Sequence, residues 1–170
     1  MVGSGIDTLL SEMNSIFLNG GAKFGCFSFE PDELLHWFVS RNRYDEIFFF
    51  ENLLASSAFA EAFSDVQPYR TPTESLKWEW SNAYVLGGDI AHGLMTGGPY
   101  EKFKGTGEEA MEIGRHFTAN LFGKRFKDIQ VFKHCGPWSE WFCDIAWDGT
   151  WVGIDSKELC VWILFQTDTD

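Results

Sequence analysis

Apolar side chains at Ile6, Leu9, Leu10, Met13, Ile16 and Phe17 recur at the three- and four-residue spacing of one helix face, and Gly20-Gly21 closes the segment. Ala22 to Phe29 is short, Phe-rich and bounded by Gly and Pro, which predicts a strand. Pro31 suits the start of a second helix, with Asp32 and Glu33 near its positive end and Leu34, Leu35 and Phe38 on its apolar side. From Asp45 to Phe63 the chain is apolar nearly all round, and a buried helix is the favoured reading; a strand at Ile47–Phe50 followed by a helix is the alternative. Residues 66–74 read as a loop, because each Pro biases its predecessor away from helix; for the segment that follows, a helix from Thr73 is the alternative to a strand. Leu76, Trp78 and Trp80 alternate with Lys77 and Glu79 as a strand does.

Thr106 and Glu109 form a capping-box pattern that opens a third helix. Ala110, Ile113, Phe117 and Leu121 share its apolar face, and Gly123 ends it. The last third changes character. Ile129–Lys133, Trp141–Trp147, Trp151–Ile154 and Leu159–Phe165 are strand-like runs separated by turn residues. Asp148-Gly149 carries the strongest hairpin signal, and Asp155-Ser156-Lys157 the next reversal. The pattern predicts an α+β fold: N-terminal helices packed on a mainly antiparallel C-terminal sheet, a meander with a hairpin at Asp148-Gly149, in one domain spanning residues 1–170. On this register Trp141 and Trp147 face the helices. Trp151 points to the other side, which a ligand or a second subunit would cover.

Composition changes the picture in two ways. With 17 Phe, 8 Trp and 4 Tyr in 170 residues, the chain is too aromatic for a disordered acidic protein. No apolar run approaches the roughly 18 residues that a membrane span needs. The formal net charge of −12 repels a phosphate backbone. The bases Arg115, Lys124, Arg125, Lys127 and Lys133 are too thin a strip to reverse that, so nucleic acid is not an expected ligand. A basic partner protein fits the field better. So does a homo-oligomer, most simply a dimer, that sets this strip against acidic segments. The start has no basic region followed by an apolar stretch. Cys26, Cys135, Cys143 and Cys160 contain no CxxC spacing. The expectation is a reduced cytoplasmic protein whose thiols act mainly as small buried hydrophobes.

No nucleotide loop, zinc pattern or hydrolase elbow is present, and neither cofactor nor metal is implied. Two readings of function remain. In the first, a small acidic non-catalytic binding protein offers an aromatic-lined cleft or interface to a small molecule or protein partner. Its ligand-binding candidates are Trp78, Trp80, Trp138, Trp151 and Asp144, set against the plain reading of the tryptophans as core. Asp144 lies in an apolar run and needs a partner, expected from the basic strip. In the second, a small enzyme uses an acid–base pair of His92 and Asp89, three residues apart on a turn bracketed by Gly87-Gly88 and Gly97-Gly98.

Overall fold

The computed structural model describes residues 4–69 and 76–170. Its strands are β1 (Gly21–Ser28), β2 (Glu79–Asn82), β3 (Ile129–His134), β4 (Gly149–Asp155) and β5 (Cys160–Thr167). They form one antiparallel sheet in the order β1-β5-β4-β3-β2. The described residues hold α1 (Ser4–Ile16), α2 (Glu33–Val39), α3 (Phe49–Leu54), α4 (Ser57–Ala62), α5 (Ala83–Thr96) and α6 (Gly107–Phe122). The class is α+β, with helices in the N-terminal and middle parts of the chain.

The centre of the sheet explains the layering. β5 reads Cys-Val-Trp-Ile-Leu-Phe, apolar at odd and even positions alike, so both faces must leave water. On the first face Trp162 and Leu164 join Ile129, Val131 and Trp151 beneath α1, α5 and α6. On the second, Val161, Ile163 and Phe165 join Phe132, Val152 and Ile154. Val39 of α2, Phe50 and Leu54 of α3 and Phe59 of α4 cover this face, together with Trp138 and Phe142 from the β3–β4 connection. Helices therefore lie on both sides, and the sheet has no open face for Trp151, which is 4% exposed under the first layer. Trp147 packs only partly buried against that same cluster, and Trp141 against the opposite one.

The hairpin expected at Asp148-Gly149 is not formed. Gly149 opens β4, residues 141–147 are irregular rather than a strand, and the reversal falls at Ser156–Leu159. Hydrogen bonding decides this. The buried Asp148 carboxylate accepts the Asp144 N–H at 2.8 Å and the Thr167 hydroxyl at 2.5 Å, and Thr167 Oγ1 accepts the Cys143 N–H at 3.1 Å. Asp148 thus ties a long loop to β5 instead of turning a hairpin. At the true reversal Asp155 Oδ1 accepts the N–H groups of Lys157 and Glu158.

Residues 45–63 also differ from a single buried helix. A short 3-10 turn at Asp45–Ile47 precedes α3 and α4. Phe48 in the left-handed region (φ 51°) and Ser56, whose hydroxyl accepts the Phe59 N–H, break the segment. Short pieces let an all-round apolar sequence present different sides to the sheet. The strand expected from Leu76 begins at Glu79. Residues 70–74 of the expected loop, and the alternative helix start at Thr73, lie outside the described residues. The capping box on α6 is complete: the Thr106 N–H donates to Glu109 Oε2 at 2.6 Å and the Glu109 N–H donates to Thr106 Oγ1 at 3.2 Å.

Candidate functional site

α5 and α6 touch backbone to backbone, because a Cβ at Gly114 would stand 2.1 Å from the Gly87 carbonyl oxygen. Beside that contact a groove of about 520 Å³ opens between the two helices. Gly87, Gly88 and Gly107 keep it free of side chains, and a Cβ at Gly88 would meet nothing within 4 Å. One wall is Tyr84, stacked on Phe126 with centroids 5.1 Å apart and planes 20° from parallel. Asn82 sets the start of that wall by accepting the Tyr84 N–H at 3.0 Å. Met111 and Thr118 of α6 line the groove as well.

Its rim is acidic. Glu108 and Glu112 project from α6 at the groove, and Arg115 is hydrogen-bonded to Glu112. That bond holds the Glu112 carboxyl below its usual range and pushes the Arg115 guanidinium up. Tyr84 is 65% and Met111 54% exposed, so this is uncovered apolar surface. Stacked rings, a thioether and a glycine floor can bind an apolar side chain.

The sequence candidates do not converge. His92 is exposed on α5 with Asp89 half-buried three residues earlier, and neither lines the groove that Gly87 and Gly88 line. Trp78, Trp80 and Trp138 share the second face of the sheet. Trp78 stacks on Phe50 at 4.6 Å, Trp80 lies 6.2 Å from Phe132, and buried Trp138 donates its indole N–H to Thr150 Oγ1 at 2.9 Å. Trp138 also borders a cavity of about 650 Å³ with Leu54, Ala60, Pro68 and Tyr69. Trp151 is on the opposite face, with Lys133 Nζ 5.5 Å from its ring centroid.

Asp144 is exposed at φ 57° in the β3–β4 loop, so it is not the half-buried carboxylate that needs a base. The basic strip instead sends Arg125 to Asp155, which is 1% exposed. The cysteines are not buried hydrophobes either: Cys26 and Cys135 are exposed, and Cys143 and Cys160 are half-buried.

Tyr84, Met111 and Phe126 escaped the sequence reading because they are scattered over 42 positions with no shared period. The signal that reached the site was the glycine pair at 87–88. Among the described residues, no group of three or more His, Cys, Asp and Glu is disposed to hold a metal ion. No described helix is long and apolar enough to cross a membrane. No protein-family model matches the chain, and no curated protein matches it.

Proposed function

We propose that this is a non-catalytic binding protein whose α5–α6 groove takes a partner protein presenting apolar side chains flanked by Lys or Arg. The observation that carries the reading is the open, glycine-floored groove with Tyr84 and Met111 exposed at its walls. Exposed apolar surface rimmed by polar groups is characteristic of interaction sites. A thioether adapts to varied apolar contacts. Glu108 at the rim, with Glu112 already paired to Arg115, and a chain of net charge −12 favour a basic partner. The test is fluorescence anisotropy with a labelled amphipathic Leu/Lys helical peptide. Binding by the wild type should weaken with salt, and Gly88→Leu, which fills the groove, should abolish it. Equal binding by Gly88→Leu sinks the reading.

A second reading rests on the order of charges along α6. Its groove positions Glu108, Met111, Glu112 and Arg115 are symmetric about the midpoint of residues 111 and 112. Two copies crossing antiparallel there would set each Glu108 beside the partner subunit's Arg115, the self-complementarity a twofold dimer requires. Sedimentation velocity at high concentration and low salt is the check; only the 19.4 kDa monomer would exclude it.

A further inference from the structure

Cys26 and Cys160 are 134 residues apart in sequence, yet the β1–β5 register brings them together. Cys26 is opposite Trp162 and Ser28 is opposite Cys160, so the two cysteines are diagonal neighbours on one face of the sheet. β1 is an edge strand, and Cys26 is exposed while Cys160 is half-buried. Asp155 stands opposite Cys160 in β4 and binds Arg125, which also reaches Glu158 at 3.8 Å. A hydrogen bond from Cys160 lowers the Cys26 thiol to about 7 against the opposing effects of burial and Asp155. The same bond and its own burial push Cys160 up. One accessible thiol with thiolate character beside a second thiol is the arrangement of an attacking and a resolving cysteine.

We propose that Cys26 and Cys160 form a redox-active thiol pair, Cys26 exchanging with low-molecular-weight disulfides and Cys160 resolving the product. In the first step the Cys26 thiolate attacks one sulfur of the small disulfide. A new S–S bond forms, the old one breaks, and the departing thiolate takes a proton from water. In the second, Cys160 gives its proton to water and attacks the Cys26 sulfur, expelling the second small thiol. The protein loses two electrons, and the small disulfide, now two thiols, gains them. Diagonal Cα atoms stand about 7–8 Å apart, roughly an ångström beyond the disulfide range, so the second step needs the edge strand to shift. Resolution is accordingly the slower step.

The experiment treats the reduced full chain with oxidised glutathione, quenches by alkylation at intervals and maps the products by peptide mass spectrometry. At pH 7 the mixed disulfide should form at Cys26 about threefold faster than at the also exposed Cys135, the gain in thiolate being partly offset by its lower nucleophilicity. It should then give way to a Cys26–Cys160 disulfide in the wild type and persist in Cys160→Ser. A Cys135 rate equal to that of Cys26, or a mixed disulfide that persists equally in both proteins, overturns the proposal.

Discussion

The indole of Trp162 rests against the backbone of Gly153 in the neighbouring strand: a Cβ added to Gly153 would stand 2.0 Å from ring carbons Cε2 and Cζ2. These two residues are opposite one another on the first face, and the ring fills the space that any side chain at 153 would need. Neither can yield easily, since Trp162 is 2% exposed and packs edge-on against Phe117 of α6. Gly153→Ala should cost about 3 kcal/mol through overpacking, read as a drop in the urea midpoint. Trp162→Leu should cost a similar amount through its cavity, and the double variant should be clearly more stable than the sum of the two losses. Strict additivity would mean the close approach is not what limits residue 153.

Tyr44 predicts the opposite sign. Its ring is 2% exposed and sits edge-on to Phe132 at 4.8 Å, while its hydroxyl has no hydrogen-bond partner among the described residues. Tyr44→Phe keeps the ring and removes an orphaned polar atom, so it should stabilise by about 1 kcal/mol. Burial also pushes the phenol above its ordinary value. With the folded value raised above the unfolded value of about 10, the stability from keeping Tyr44 neutral is fully present below that pH and is lost as pH rises further. Thermal midpoints at pH 8 and pH 11 should therefore fall less in Tyr44→Phe than in the wild type. Parallel curves would contradict this.

The α6 cap gives a smaller, cleaner effect. Thr106→Ala strands the first-turn N–H of Glu109 and should cost about 1 kcal/mol, some 2–4 °C in the thermal midpoint for a chain of this size. Thr106→Ser should restore most of it. A melting curve unchanged by Thr106→Ala would mean that Glu109 and solvent cap the helix without it.

How far the sequence could be read depended on whether the deciding interaction was local. α1, the capping box at Thr106–Glu109 and the stop at Gly123 were legible because spacing and caps lie within a few residues. The reversal near Asp155 was legible for the same reason. Asp148-Gly149 misled because the Asp148 carboxylate is committed to Thr167, 19 residues away, and no turn rule contains that bond. The double-sided cover of the sheet was written in β5, apolar at every position from Val161 to Phe165. The plain reading of the tryptophans as core describes Trp138, Trp151 and Trp162, which are buried in the two clusters on either side of the sheet. The pairing of Tyr84 with Phe126, and of Cys26 with Cys160, depends on sheet register and helix crossing, and neither leaves a period in the chain.

The two glycines of the α5–α6 pair should respond in opposite directions to the same substitution. At Gly88 an added methyl meets nothing within 4 Å, so Gly88→Ala loses only the entropic penalty of glycine in a helix and should stabilise by about 0.5–1 kcal/mol. At Gly114 the methyl would stand 2.1 Å from the Gly87 carbonyl oxygen, which is backbone and cannot swing aside. Gly114→Ala must push α6 away from α5 and should cost about 3 kcal/mol despite its better helix propensity. The separation of the helices also sets the width of the groove. Gly114→Ala should therefore alter peptide binding even where the fold survives, whereas Gly88→Ala should leave binding within a few-fold of wild type. Differential scanning fluorimetry of the two variants, paired with the anisotropy titration, reads both effects. If Gly88→Ala is as destabilising as Gly114→Ala, the open floor is not open, and the groove cannot be the binding surface.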